Sequence, residues 1–448
     1  MSLFEYSTLC DPSMLLDEST ESPMTESGIY SHLDTKSGGF SPAFPRSLDS
    51  LSIPQETITA IVMRFLLNKG ATWGREISAH AKIPQAIVGE LLRELKTKQL
   101  VAYRKSTNAS DFLYELTAQG VEFAQRSEAS CSYFGAVPVN FKRYLKSVSA
   151  QSLDLQTPTK ESLKAALKGL FVSPQMISRL GQSIRAGRAL FLYGSPGNGK
   201  TSYAQRLCRA FGETIWIPRS LLIDDQIVRL YDPAIHEAVA VERNLKYDER
   251  WVKIKRPTVI VGGELTMEHL EMQEIGDSKV IEAPIQLKSN CGTLVIDDFG
   301  RQRMSPTDLL NRWILPLENR FDFLQLSSGR KIQVPFDQLI VFSTNLDPKE
   351  LVDEAFLRRI PYKIEVVNPT DLQFRALMTR TAEKLGIGID DAALDYLVTT
   401  HYKNVGRPMR FCHVRDLLNQ IKSYCEFEEI PPRLSPPICD LIVSNYFV

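Results

Sequence analysis

Eight consecutive residues, Gly194-Ser195-Pro196-Gly197-Asn198-Gly199-Lys200-Thr201, constrain this chain more than any other feature. The three glycines let the backbone curl so that successive N–H groups point into one concavity, a shape that suits phosphate oxygens. Lys200 adds a cation that reaches β- and γ-phosphates, and the Thr201 hydroxyl offers a ligand to Mg2+. An apolar strand, Ala189–Tyr193, precedes the loop, and a helical pattern starts at Thr201-Ser202 with its positive end toward the same point. Strand, loop and helix in that order predict a P-loop α/β core, with residues Gly194 through Ser202 around the phosphates of a nucleoside triphosphate.

Such a core needs an acid at the end of a second apolar strand. Thr293-Leu294-Val295-Ile296 runs into Asp297-Asp298 and supplies it. Asp297 is placed to hold the ion, through water, and Asp298 to activate the attacking water. Lys200 and Asp297 lie 97 positions apart, whereas a plain βαβ unit takes about 30 residues. An insertion must fill part of that interval.

Together these elements resemble the AAA+ ATPases. The resemblance extends to Leu339–Asn345, which is similar to the sensor-1 strand and implies that Asn345 orients water. Ala355–Ile360 is similar to the segment that presents an arginine finger, here Arg358 or Arg359, to a neighbouring subunit. After Val367 the pattern is helical, like the family's lid, and Cys412–Leu418 resembles the start of the sensor-2 helix. Arg415 is the candidate there, with Arg407 and Arg410 as nearby alternatives. Glu282–Gly292 resembles the helix-2-insert branch, which includes MoxR-like ATPases and bacterial enhancer-binding proteins. Leu309–Asp322 followed by Leu326–Ile332 reads as the helix and hairpin typical of that branch.

The resemblance implies a nucleotide-binding core over 171–366, a helical lid and C-terminal extension over 367–448, ATP and Mg2+ as ligands, and a ring of identical subunits that remodels a macromolecular partner. Two departures matter. Asp298 stands where most of the family has Glu, one methylene longer, so slower turnover is expected. The N-terminal region is not usual for MoxR-like members, so their metal-insertion and maturation roles are not carried over.

Upstream, residues 1–52 are rich in Ser, Thr, Pro and acids without a steady apolar period, the composition of a disordered tail. Over 53–130 three helical patterns precede two strand-like runs, Leu100–Arg104 and Phe112–Thr117, and the whole resembles a winged helix. Its third helix, Pro84–Gln99, could enter a DNA groove or pack on protein. Ten Lys/Arg against eight Asp/Glu across 53–130 make a weak phosphate-binding footprint. A nucleotide-dependent DNA-binding regulator, with hydrolysis as a timer, is therefore the alternative to the remodeller. Residues 131–170 read as a connector.

With 53 Lys+Arg against 53 Asp+Glu, the chain lacks the overall basic field that holds nucleic acid non-specifically. The seven cysteines form no C-x-x-C pair and fit free thiols of a reducing compartment. The start of the chain lacks the apolar core of a secretory signal, and Arg64 interrupts the longest apolar run. A cytoplasmic protein without membrane contact is expected, and the six scattered histidines suggest no transition-metal site.

Overall fold

Gly292–Ile296, Gln338–Thr344 and Leu190–Tyr193 are near-continuous apolar runs, the pattern of strands covered on both faces. In the computed structural model, which describes residues 40–106, 111–187, 189–242 and 244–447, they form the centre of a parallel sheet of five strands. From edge to edge the order is Thr258–Val261, Gly292–Ile296, Gln338–Thr344, Leu190–Tyr193 and Tyr362–Glu365. Successive side chains alternate between faces. Leu190, Leu192, Val295, Leu339 and Val341 join Leu180, Ile184 and Leu207 on one side. Phe191, Leu294, Ile296, Ile340 and Phe342 join Leu309, Leu310 and Trp313 on the other. Helices Lys160–Ala166, Pro174–Arg185 and Lys200–Leu207 cover the first face, and Pro306–Asn319 with Glu354–Arg359 cover the second. The result is the three-layered P-loop core.

Caps explain where these helices begin. Ser173 and Ser305 each accept a hydrogen bond from a first-turn N–H, and each is followed by a proline whose missing donor costs nothing there. Pro306–Asn319 is followed by a hairpin, Phe321–Gln325 with Lys331–Pro335, as the sequence pattern predicts.

The insertion differs from expectation. Its larger part lies before the edge strand Thr258–Val261, where Thr214–Pro218 pairs antiparallel with Trp251–Lys255. Within that part, Ser220–Ile223 and Gln226–Arg229 make a tight hairpin. The segment Glu282–Gly292, which carried the likeness to the helix-2 insert, holds only a four-residue helix, Ile285–Lys288, leading into the acid-bearing strand. A second sheet of five strands runs Gln273–Glu274, Ile281–Glu282, Gln226–Arg229, Ser220–Ile223 and Val139–Asn140.

The last of those strands corrects the reading of 131–170 as a mere connector. Val139–Asn140 pairs parallel with Leu221-Leu222, and helix Phe141–Gln151 follows with Tyr144 and Val148 buried on the insertion. The tail is corrected too. Residues 1–39 lie outside the described residues, but 40–52 are folded. The Phe40 ring stands 5.3 Å from Trp251, and Leu51 is fully buried. Phe40 thus finds its apolar partner in Trp251, and Leu51 joins the core of the helices that follow it.

Residues 55–130 form helices Gln55–Lys69, Gly74–Ala81, Gln85–Thr97 and Ala118–Ser130 with an antiparallel sheet of Thr72–Trp73, Phe112–Leu116 and Val101–Ser106. Their core takes in Leu222 and Ile227 from the insertion. Arg64, which breaks the apolar run in sequence, is buried and donates to the Ser127 and Cys131 carbonyls, satisfying the C-terminal end of Ala118–Ser130.

A buried charge node ties these parts together. Arg250 and Asp248 are both fully buried, with Nε and Nη2 of the arginine on the two carboxylate oxygens at 2.9 and 2.7 Å. Nη1 of Arg250 donates to the carbonyls of Leu51 and Pro138 at 3.2 and 3.1 Å, and Arg143 reaches Asp248 at 3.4 Å. Beyond the sheet, helices Asp371–Leu385, Asp391–Val398, Phe411–Phe427 and Pro436–Tyr446 close around their own core of Phe374, Met378, Leu397 and Leu418. No described helix is long and apolar enough to cross a membrane.

Candidate functional site

The phosphate loop leaves its strand at Gly194 and enters helix Lys200–Leu207 through two left-handed glycines, Gly197 and Gly199, both at φ 81°. Gly197 has a second reason to lack a side chain. A Cβ there would stand 2.3 Å from Cys412 Sγ, on the first turn of helix Phe411–Phe427. The lid therefore rests on the loop, with the Cys412 N–H donating to the Gly197 carbonyl at 2.9 Å. Asn198 is buried and donates to Asn368 Oδ1 at 2.7 Å, fastening the loop to the segment that leads into the lid.

Lys200 Nζ spends its three protons on the carbonyls of Gly194 and Ser195 and on Asn345 Oδ1, at 2.8, 3.0 and 2.7 Å. Burial pushes its ammonium below the ordinary lysine value, Asp298 and Asp297 oppose that, and Arg410 adds to it. Asn345 in turn donates through Nδ2 to Asp298 Oδ1 at 3.1 Å. The end of the sheet thus brings Lys200, Asn345 and Asp298 into one chain of hydrogen bonds, from residues spread over 145 positions.

Thr201 Oγ1 donates to Asp297 Oδ2 at 2.8 Å. Two hard oxygen donors side by side beside a phosphate cradle are the chemistry Mg2+ takes, so the residues present fit that ion. Asp298 is exposed and sits at φ 48°, a left-handed conformation that costs a non-glycine residue about 1–3 kcal/mol. Surrounding bonds hold it there: Phe299 N–H to the Ser343 carbonyl at 2.7 Å, and Gln302 Nε2 to the Asp297 and Asp298 carbonyls at 2.8 and 3.1 Å. This bend aims the Asp298 carboxylate at Asn345.

These groups line a cavity of about 520 Å3 with Gly169, Leu170, Phe171, Leu377, Phe411, Cys412 and Arg415. Phe171 and Phe411 stack at 6.4 Å, one from the segment before the core and one from the lid. Neither carries a sequence signal, since each is an isolated aromatic in a segment without a motif.

The structure separates the candidate arginines. Arg415 lines the cavity, and its Nε lies 3.3 Å from Asp416. Arg410 packs beside the loop, its Cδ 3.8 Å from where a Cβ on Gly197 would stand, and its Nε is buried without a partner. Arg407 is turned away, over the Phe447 ring at 3.7 Å. Arg358 and Arg359 both lie outside this cavity, on helix Glu354–Arg359. Arg359 is tied to Glu318 at 2.6 Å, whereas Arg358 is exposed and has no ion pair among the described residues.

The fold is a three-layered P-loop core with a helical lid, with two acids and a polar strand-end residue beside the loop. Similar proteins can be named. Spastin of Anopheles gambiae is 24% identical over 238 residues, 53% of this chain and 23% of that protein. The chain thus spans less than a quarter of that relative's length. A family model described as "Domain of unknown function (DUF8689)" matches residues 370–445, the lid. Among solved structures, NtrX from Brucella abortus is 15% identical with a TM-score of 0.40, over 62% of this chain and 56% of that one. The Thermotoga maritima RuvB Holliday junction branch migration motor is 14% identical with a TM-score of 0.34, over 60% and 67%.

Proposed function

We propose that this chain is a Mg2+-dependent ATPase that works as a ring of identical subunits and remodels a macromolecular partner. The observation that carries the reading is the single chain Lys200–Asn345–Asp298 beside the Thr201–Asp297 pair. An ammonium, an amide, two carboxylates and a hydroxyl meet around one cavity, which supports roles as phosphate-facing cation, water-orienting group, general base and ion site. Thr201 and Asp297 would hold Mg2+, which when bound would supply charge neutralisation to the phosphates.

In this reading the loop N–H groups and Lys200 grip the phosphates, and Phe171 and Phe411 face the nucleoside end of the cavity. Asn345 and Asp298 hold a water. Asp298 takes its proton as the water oxygen bonds to the γ-phosphorus, and the β–γ bridging oxygen leaves with ADP. Arg415 faces the developing charge from the lid, with Arg410 supporting the loop. Arg358, free where Arg359 is tied, is the finger that reaches a neighbour's site.

Residues 53–130 belong to this proposal as a winged helix, and a protein partner is the reading their surface favours. The cations of helix Gln85–Thr97 and its end are engaged within the fold. Arg93 donates to the Gly89 carbonyl at 3.1 Å, Lys96 lies over the Tyr103 ring at 3.6 Å, and Lys98 pairs with Glu94 at 2.7 Å. Phosphates would have to compete for each of them. A cytoplasmic location is part of the same proposal.

Lys200→Ala tests the site. Loss of a charge-assisted contact to phosphate should weaken ATP binding by about 2–5 kcal/mol, read by calorimetric titration with Mg2+ present. Affinity within threefold of the unaltered chain would remove the loop from the mechanism.

A further inference from the structure

The lid's last helix ends at Tyr446, far in sequence from the phosphate loop, yet its hydroxyl reaches the second turn of helix Phe411–Phe427. Tyr446 Oη donates to Asp416 Oδ2 at 2.9 Å. The other carboxylate oxygen, Oδ1, faces Arg415 Nε at 3.3 Å. Each oxygen of Asp416 thus serves one partner, and the carboxylate bridges the end of the chain to the cation at the cavity's rim. The Arg415 side chain is 75% exposed. Left alone, such a side chain samples many rotamers, and an isolated surface pair restrains it by only about 0–1 kcal/mol.

The surroundings make Tyr446 a firm anchor. Its ring meets His413 edge-on at 5.6 Å and Phe447 at 4.8 Å, and Arg407 covers the Phe447 ring at 3.7 Å. Cys412 Sγ, the atom that fills the space over Gly197, lies 4.0 Å from the same hydroxyl. Cys412 at the loop, Arg415 at the rim and Asp416 under the anchor thus lie on consecutive turns of one helix.

We propose that Tyr446 is a positioning residue for the nucleotide site, acting through Asp416 to hold the Arg415 guanidinium at the rim of the phosphate cavity. The proposal rests on the nucleotide-binding reading above and adds a role for the C-terminal end of the chain. Tyr446 touches no substrate. It limits where Arg415 points, so that the guanidinium meets the phosphates without a prior search through rotamers.

The test uses the full chain and a fluorescent ADP analogue with Mg2+, following release after mixing with excess unlabelled ADP. Tyr446→Phe keeps the ring and removes only the hydroxyl, and should speed release by about three- to tenfold. Asp416→Ala should do the same, and the double variant should release no faster than Asp416→Ala alone. Urea unfolding midpoints of Tyr446→Phe and the unaltered chain should coincide, which separates positioning from lid collapse. Release from Tyr446→Phe at the unaltered rate overturns the proposal while leaving nucleotide binding standing. Multiplicative effects of the two substitutions, or a lowered midpoint that accounts for the faster release, also overturn it. If the unaltered chain fails to bind the analogue at all, the nucleotide-binding reading itself falls and takes the proposal with it.

Discussion

The phosphate-loop cavity and the Arg250–Asp248 node both gather charges from distant segments, but they leave them in different conditions. Arg250 and Asp248 are fully buried and bonded to each other and to fixed carbonyls. Every one of those bonds is to the protein itself, and nothing outside is positioned to replace them. At the cavity, Lys200 is bonded to two loop carbonyls and an amide, while Asp298 and Arg415 stand exposed. Phosphates can take over those bonds at modest cost. The contrast teaches that a charge's role is set by who can replace its partners. Substitutions at the cavity should cost chemistry and spare the fold, and substitutions at the node should do the reverse.

The largest expected effect tests whether the contrast extends across a subunit boundary. Arg358→Ala should lower ATP hydrolysis by about 10³-fold or more, with nucleotide affinity kept. Arg359→Ala, whose guanidinium already answers Glu318, should lower it less than tenfold. Mixing Arg358→Ala with Lys200→Ala chains should restore activity, because some sites then pair an intact loop with an intact finger. No recovery from mixed oligomers would confine each site to one chain.

Asp298→Asn comes next. The amide keeps the shape but cannot accept the water's proton, so steady-state turnover should fall by about 10²–10⁴-fold. Its urea midpoint should not move. A stability loss comparable with that of a node variant would break the distinction between the two regions.

At the node the signs reverse. Asp248→Ala leaves a buried guanidinium unpaired and should destabilise the fold by about 3–5 kcal/mol in urea unfolding. A double variant, Asp248→Leu with Arg250→Met, should recover most of that loss, since burying two apolar groups removes both charges. Nucleotide affinity of the double variant should match the unaltered chain.

The smallest effect concerns His413, which lies between the two conditions, buried yet beside the cavity. Burial, helped by Arg410 and Arg407, pushes its imidazole down to about 4 from 6.5. The folded value lies below the unfolded one, so the unfolded chain binds the proton first as pH falls. Stability is therefore full above about pH 6.5 and declines toward pH 4, by roughly 1–3 kcal/mol. His413→Gln should flatten that slope in thermal melts taken between pH 4.5 and 7.

What could be read from sequence follows the same division. The loop, the two acids and Asn345 are short motifs at strand ends, where residue type and neighbours carry the chemistry together. The unbroken apolar runs Leu190–Tyr193 and Leu339–Phe342 likewise mark strands covered on both faces. Sequence named Arg415 with Arg407 and Arg410 as alternatives, and only the lid's packing decides which of them faces the cavity. Residues 40–52 read as a tail because Phe40 finds its partner at Trp251, and Leu51 joins a core that also takes in Leu222 and Ile227. Arg250 gave no signal at all, since its acceptors at Leu51 and Pro138 are 199 and 112 positions away.

The shared core of residues 51–137 with Leu222 and Ile227 has a further consequence, in time rather than space. The helices of residues 55–130 leave the ribosome before the hairpin that carries Leu222 and Ile227, and they cannot close their apolar face until it follows. Arg250 cannot be satisfied until later still. At about 5–20 residues per second, the interval from residue 130 to residue 250 is on the order of ten seconds. For that interval the nascent chain carries an unfinished hydrophobic surface. Slowing translation between those points should prolong its exposure to chaperones, and moving the hairpin earlier by circular permutation should shorten it.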